Sequence, residues 1–223
     1  FYTFTSRLGL DVTGPDIGKA RSSAKIETDF GGFSGSNTML RIRQAYVNLD
    51  WGKSAVLVGI TWHPLFGAVM PDVLNLSTGA PFQPFNRSPQ IRYQYKANSR
   101  VQLTASVLWQ LQYLSSGPKG MSEDYIKNSC IPEMFVGADF TPADGWLMGL
   151  GAHMISLKPR TSTEWKEQTF KVNERMTAFS YEAHLKYSGR NYTFAAKTLM
   201  ASALDHTALL GGYGAVSYTH LRA

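Results

Sequence analysis

The chain has 223 residues, of which 43% are hydrophobic and 13% aromatic, and its formal charge is +6. The apolar residues are dispersed, and no run approaches the roughly 18 apolar residues that a membrane helix needs. The basic residues form no Lys/Arg run, so nucleic acid is not an expected partner. The single cysteine, Cys130, excludes an internal disulfide.

Alternating apolar and polar residues predict about ten strands, separated by turn-forming residues. The predicted strands cover residues 6–13, 23–30, 39–51, 55–62, 91–96, 101–112, 133–140, 146–157, 179–187 and 192–200, and an eleventh covers residues 209–215. The third strand changes phase near Arg43, which a one-residue bulge would reconcile. No helical period competes with the strand pattern anywhere in the chain.

Short turns and long loops connect these strands in strict alternation. This arrangement is typical of a barrel in a membrane, whose periplasmic turns stay short while its extracellular loops grow long. The predicted fold class is therefore all-β, an antiparallel up-and-down transmembrane β-barrel. The residues predicted to face the lumen are Lys25, Glu27, Asp29, Arg92, Lys96, Glu182, His184 and Lys186.

So many inward charges favour a water-filled lumen, because an unpaired buried charge costs several kcal/mol. Water-filled barrels have around sixteen strands, so we expect the chain to be a fragment. Phe1 already lies in strand-like sequence without a leader. Residues 216–223 resemble the translated read-through of a sequencing adapter. We therefore expect residues 1–215 to form the barrel and residues 216–223 to be a non-native tail.

Three segments resemble the outer-membrane porins of Gram-negative bacteria. They are residues 40–51 (LRIRQAYVNLDW), 58–64 (VGITWHP) and 78–85 (TGAPFQPF). The resemblance extends over most of residues 6–200. It implies a homotrimeric channel for passive diffusion, whose third extracellular loop folds inward to narrow the pore.

The longest irregular stretch, residues 63–90, is the candidate constriction. It contains five prolines, which exclude one regular element, and it is too hydrophobic for disorder. We expect it to pack on the inner wall, and the alternatives are an outward lid or a latch between subunits. The polar residues expected to line the opening are Asp72, Gln83, Asn86 and Arg87.

Arg41, Arg43 and Arg92 are candidates for a basic ladder that attracts anions in a narrow, wet channel. The alternative is that they pair with Asp29, Glu27 or Asp50 on neighbouring strands. Six residues near strand ends are candidates for an aromatic belt at the membrane interfaces, with packing in a core as the alternative. These residues are Trp51, Trp62, Trp109, Trp146, Tyr187 and Tyr192.

We expect no enzyme activity, cofactor, catalytic residue or metal site. His153 and His184 have too few adjacent carboxylates, such as Glu182, to indicate a metal or catalytic centre. The expected function is a porin of the bacterial outer membrane that passes small polar or anionic solutes and is surrounded by outer-membrane lipids. The alternatives are a structural or adhesive outer-membrane barrel, a soluble glycan-binding β-sandwich, and an outer-membrane lipase.

Overall fold

The computed structural model describes residues 6–32, 39–70, 73, 79–165 and 167–210. Asp72, the tail of residues 216–223 and most of the predicted eleventh strand lie outside this part of the chain. The strands are β1 (Arg7–Thr13), β2 (Arg21–Asp29), β3 (Arg41–Asp50), β4 (Ser54–Trp62), β5 (Arg87–Lys96), β6 (Val101–Leu108), β7 (Ser116–Gly117), β8 (Gly120–Met121), β9 (Glu133–Phe140), β10 (Trp146–Leu157), β11 (Ser162–Trp165), β12 (Gln168–Lys171), β13 (Met176–Ser188) and β14 (Thr193–Met200). Helix α1 is Asp124–Ser129, and two 3₁₀ turns cover Pro64–Phe66 and Asp205–Thr207.

Ten strands form one antiparallel sheet in the order β1-β2-β3-β4-β5-β6-β9-β10-β13-β14. Each strand pairs with the next large strand along the chain, as in an up-and-down barrel. The short connections after β1, β3, β5, β9 and β13 lie at one end of the sheet, called here the turn end. The connections after β2, β4, β6 and β10 are longer and lie at the opposite end, called here the loop end. The predicted all-β fold class is confirmed, and so is the predicted alternation of short turns and long loops.

The predicted bulge in β3 is also confirmed. Gln44 pairs with Glu27 and Ile42 pairs with Thr28, so Arg43 is the extra residue. Because of this extra residue, the guanidinium groups of Arg41 and Arg43 both reach the inward-facing carboxylates of β2.

Some predicted strand boundaries are wrong, and so is the expectation that the chain contains no helical segment. β5 begins at Arg87 rather than at residue 91, and it includes Pro89, whose carbonyl accepts a hydrogen bond from the Trp109 N–H at 2.9 Å. β6 ends at Leu108 rather than at residue 112. The long loops contain the hairpins β7–β8 and β11–β12 and helix α1. A six-residue helix is too short to produce a visible helical period, which is why the sequence pattern did not reveal it.

The two faces of the sheet have opposite chemistry. On β10, Leu150 is 68% exposed on the outer face, whereas His153 on the inner face is 1% exposed. Val136 on the neighbouring strand β9 is also exposed. Apolar side chains outside and charged side chains inside are the reverse of a water-soluble protein and suit a barrel surrounded by lipid. No helix in the described residues is long and apolar enough to span a membrane.

Two clusters of buried apolar residues lie at the loop end, where loop segments pack against the inner wall. One cluster joins Tyr125 and Ile126 of α1 to Ile155 and Leu157 of β10. A second cluster joins Leu65, Leu108, Phe135 and Leu204. The loops therefore pack against the wall at this end of the barrel, and they bring together side chains that are distant in the sequence.

Candidate functional site

The loop between β4 and β5 lies against the opposite wall of the barrel. Its first turn is held by Lys197 of β14, whose ammonium group donates to the carbonyl oxygens of Leu65 and Phe66. β4 is the fourth strand of the sheet and β14 is the tenth, so they are not neighbours in the sheet. This contact therefore requires the sheet to curve and the loop to pass through the interior.

The end of the same loop is tied to the segment that follows β14. The N–H of Phe85 donates to the Thr207 carbonyl at 2.7 Å, and the Asn86 amide donates to the His206 carbonyl at 3.1 Å. Gln83 donates to the Phe66 carbonyl at 2.8 Å. These contacts give the described part of the loop the inward position that the sequence predicted.

The polar residues of this loop do not have the predicted role. Gln83, Asn86 and Arg87 were expected to line an open channel, but they are 5%, 0% and 1% exposed. Gln83 and Asn86 hold the loop in place through the hydrogen bonds given above, and Arg87, the first residue of β5, is enclosed by protein atoms. The prediction for these three residues is wrong because the segment packs inward and encloses their side chains among protein atoms.

Arg87 lies in an aromatic cage. Its guanidinium carbon is 4.9 Å from the ring centre of Trp62 and 5.3 Å from that of Phe85, and its Nη2 donates to the Tyr113 hydroxyl at 2.9 Å. Trp62 also stacks on Phe66 with ring centres 4.1 Å apart. The assignment of Trp62 to an aromatic belt is therefore wrong, because its ring packs within the protein.

The proposed basic ladder is also wrong for two of its three members. Arg41 makes two hydrogen bonds to Asp29, at 3.0 and 2.7 Å. Arg43 bonds to Glu27 at 2.6 Å and to Asp29 at 2.8 Å. The two arginines and two carboxylates cancel one another, as the alternative interpretation expected. Arg92 is not neutralised in this way, because its guanidinium donates to the uncharged oxygens of Gln90 and Trp62.

A buried carboxylate, Glu133 at the start of β9, is the centre of the most unusual group of side chains. Three histidines, His63, His153 and His206, place Nε2 at 3.3, 3.4 and 3.2 Å from its Oε2 atom. Gln110 donates to its Oε1 atom at 2.8 Å. All five side chains are at most 2% exposed. They come from two strands and three connecting segments, so their meeting depends entirely on the packing at the loop end.

The charge of this group is shared between Glu133 and one histidine. Burial lowers the pKa of His63 to about 4, so this imidazole is neutral at neutral pH. Burial also opposes the protonation of His206, but attraction to the Glu133 carboxylate outweighs burial and raises the pKa of His206. A protonated His206 balances the ionised Glu133, which removes most of the penalty for burying a lone charge.

A cavity of 530 Å³ opens on the inner face of the sheet. One wall carries Arg92 with uncharged polar residues, and the other carries Asp139, Glu182 and His184. The lining also includes Gln44, Tyr46, Thr61, Gln94, Gln102 and Thr104. The cavity lining is thus mixed, with apolar side chains, positive charge from Arg92 and negative charge from the carboxylates of β9 and β13.

Glycines on β10 make room for the charged wall of this cavity. A Cβ atom built on Gly151 would lie 2.8 Å from both Glu182 and Phe135, and one built on Gly149 would overlap His184. The side chains of Glu182 and His184 therefore lie across β10. His184 contacts Asp139 at 3.1 Å, and Glu182 contacts Lys197 at 3.4 Å.

Most of the predicted lumen charges are paired. Lys25 bonds to Asp11 at 3.1 Å, and the contacts of Glu27, Asp29, Glu182 and His184 are given above. Lys96 lines a small depression at the turn end, and Lys186 follows His184 in the inward phase of β13. Because most of these charges have partners, their inward position does not by itself require a water-filled lumen.

The aromatic residues divide between the two ends. Trp146, Tyr187 and Tyr192 form a group at the turn end. The ring centres of Trp146 and Tyr187 are 4.7 Å apart, and those of Tyr187 and Tyr192 are 5.6 Å apart. Trp51 is also at this end and is 44% exposed. For these four residues the aromatic belt stays a prediction. Trp109 instead packs against the cluster around α1 at the loop end, so its assignment to the belt is wrong.

Sequence reasoning missed four residues that organise the loop end: His63, Glu133, Lys197 and His206. The sequence offers few carboxylates next to His153, but the structure brings Glu133 to it from β9. The period-2 phase of β9 could have placed Glu133 inward. Nothing in the sequence could have indicated that residues 63 and 206 meet there.

No known protein family and no curated protein matches the sequence. Among solved structures, the fold is similar to an outer-membrane protein of Vibrio cholerae, OmpT with its loop L8 deleted, with a TM-score of 0.54 and 13% identity. The match covers 89% of this chain and 63% of that chain, so the chain spans less than two thirds of that structure. The likeness confirms an outer-membrane β-barrel fold. The apolar outer face suits a barrel of this kind surrounded by lipid.

Proposed function

We propose that the protein is a porin, a water-filled outer-membrane channel through which small polar solutes diffuse passively. The observation that carries this proposal is a cavity of 530 Å³, lined in part by charged and polar side chains, on the inner face of a sheet whose outer face is apolar. Charged and polar side chains around a cavity in this position suit the passage of a polar solute. A non-enzymatic role is part of the proposal.

The loop between β4 and β5 is the proposed constriction. Its attachment to Lys197 holds the turn Pro64–Phe66 against the far wall, and Pro64 and Phe66 line the cavity. In this position the loop narrows the space available to a solute. The polar residues that contact the solute are then those of the walls, such as Arg92 and Asp139, rather than those buried within the loop.

Assembly and size are also proposals. β1 and β14 each pair with one neighbour in the described part of the chain, so the sheet has two open edges there. Additional strands, about sixteen in all, would close a barrel wide enough for a water-filled channel. We propose that three such barrels form a homotrimer, surrounded by outer-membrane lipids that contact the apolar outer face.

Step conductance in a planar lipid bilayer is the direct test of the channel. We expect the protein, folded in detergent micelles, to insert and produce discrete current steps that scale with salt concentration. Heat-modifiable migration on a detergent gel confirms that the sample is a folded barrel. A folded barrel that inserts into the bilayer but passes no current would contradict the proposal.

Replacing Arg92 by Gln is expected to lower the ratio of anion to cation permeability by about twofold, because a fixed charge on the wall sets the local ion concentration. Arg92 is the arginine to change, since Arg41 and Arg43 are neutralised by carboxylates. The measurement is the zero-current potential across a salt gradient. Arg21→Gln is the control, because Arg21 is 73% exposed and lies at the turn end. Equal shifts in both variants would show that the wall charge does not select ions.

The second candidate is a structural or adhesive barrel whose loops bind a surface partner. The feature that favours it is the exposed hairpin β11–β12 at the loop end, where Phe170 is 46% exposed. Deleting this hairpin would remove surface binding and leave bilayer conductance intact if both functions exist. The β-sandwich alternative is wrong, because the ten large strands form one sheet.

A further inference from the structure

We propose that His63, His153 and Glu133 bind a divalent transition-metal ion, with zinc as the best fit, at the loop end of the barrel. Imidazole nitrogens and a carboxylate oxygen are the ligands that zinc uses when three protein residues hold it. The site would take an ion that is additional to any solute passing through the channel.

The spacing of the ligand atoms carries the proposal. Nε2 of His63 and Nε2 of His153 lie 3.3 and 3.4 Å from Oε2 of Glu133, and the three residues offer ligand atoms that all lie within 4.8 Å of one another. Two ligands of a tetrahedral zinc ion with bonds of about 2.1 Å are about 3.4 Å apart. Hydrogen bonds between imidazole and carboxylate groups prefer about 2.8 Å. Both separations from Oε2 are long for hydrogen bonds and match the spacing of two ligands on one ion, and the third separation is within 4.8 Å.

Burial and outer contacts support the same assignment. The side chains of the three residues are at most 1% exposed, so they are held in a fixed environment. Gln110 donates to the other oxygen of Glu133 at 2.8 Å, and His206 contacts the ligating oxygen at 3.2 Å. Hydrogen bonds of this kind orient a carboxylate for metal binding.

His63 changes its tautomer when the ion binds. Its Nδ1 atom accepts a hydrogen bond from the Leu65 N–H at 3.2 Å, which places the proton of the neutral ring on Nε2. Coordination through Nε2 requires that proton to move to Nδ1, and the bond from Leu65 is then lost. The ion therefore replaces a cap on the 3₁₀ turn Pro64–Phe66 with a stronger attachment of the same turn to β9 and β10.

The matched control is His184, another histidine with buried ring atoms and carboxylate neighbours. It contacts Asp139 through Nε2 at 3.1 Å and Glu182 through Nδ1 at 3.7 Å. Because these contacts use different ring nitrogens, His184 cannot direct both carboxylates at one ion. A change there removes a lumen histidine and leaves the proposed ligands in place.

Zinc binding to the untagged full chain in detergent micelles, measured by equilibrium dialysis, tests the proposal. We expect one Zn²⁺ per chain with a Kd of about 10 μM or lower, and an increase in Kd of about tenfold or more in both His153→Asn and Glu133→Gln. His184→Asn should bind as the unmodified chain does. Equal affinity in all four proteins, or no stoichiometric binding by the unmodified chain, would overturn the assignment.

A measurement on the unmodified chain alone covers the case in which the variants do not fold. Co²⁺ added to the metal-free protein should produce the visible absorption bands of a cobalt ion in a site of low coordination number, and Zn²⁺ should remove them by competition. If Co²⁺ keeps the weak spectrum of the hydrated ion, the site does not exist as proposed. Neither experiment depends on conductance, so the metal site and the channel can fail separately.

Discussion

Replacing Glu133 by Ala is expected to lower the free energy of unfolding by about 3–5 kcal/mol, the usual effect of breaking a buried charge pair. One carboxylate receives the contacts of Gln110 and three histidines, and its side chain is 1% exposed. Its removal leaves a charged His206 and several buried polar groups without a partner. Few other single substitutions in the described residues would affect so many contacts.

Urea unfolding in detergent micelles, followed by tryptophan fluorescence, measures this effect. The buffer contains EDTA, so that no bound ion contributes to the stability of either protein. Glu174→Ala is the control, because Glu174 forms an exposed pair with Arg160 and should contribute less than about 1 kcal/mol. A loss of under about 1 kcal/mol for Glu133→Ala would mean that the four contacts do not stabilise the loop end.

Replacing Lys197 by Met is expected to release the constriction loop from the far wall. The methionine keeps the apolar stem but loses the ammonium group that binds the carbonyls of Leu65 and Phe66 and pairs with Glu182. We expect single-channel conductance to rise by about twofold, because the loop no longer narrows the lumen. We also expect chymotrypsin to cleave after Phe66 about tenfold faster, because local opening exposes this site.

The two measurements separate the position of the loop from the function of the channel. Lys186→Met is the control, since it removes the same charge from the inner face of β13 without touching the loop. Faster cleavage without a change in conductance would mean that the loop is attached as described but does not limit the flow. Unchanged cleavage would contradict the attachment itself.

Zinc binding and the Lys197 contact act on the same turn, Pro64–Phe66. Lys197 holds it from β14, and the proposed ion would hold it from β9 and β10 through His63. If both are correct, zinc should reduce the chymotrypsin sensitivity of Lys197→Met. Lys197 and Glu133 already hold this turn from β14 and β9, so the described part of the loop has a defined position inside the barrel.

The fold could be predicted from the sequence because it depends on local patterns. In a strand of a membrane barrel, successive side chains face lipid and lumen in turn. Apolar and polar residues therefore alternate within a few positions of the sequence. The bulge at Arg43 was visible for the same reason, since it interrupts the alternation. The boundaries near Pro89 were wrong because a proline usually ends a strand, and the structure accommodates this one within β5.

The site was predicted less well because it depends on contacts between distant segments. The sequence placed Arg41 and Arg43 on an inner face, but only the structure showed that Asp29 and Glu27 neutralise them. It identified the stretch of residues 63–90 as a loop that packs, but not its attachment to Lys197.

The amino-acid sequence by itself determined the class of fold, the two faces of the sheet and the end at which the long loops lie. Each of these features follows from a pattern among residues that are close together in the sequence. Only the tertiary structure decided which charges are neutralised and that His63, His153 and His206 meet at Glu133. These groups come from positions up to 143 residues apart. Their meeting depends on how the sheet curves and how the loops pack inside it, and no local pattern encodes that.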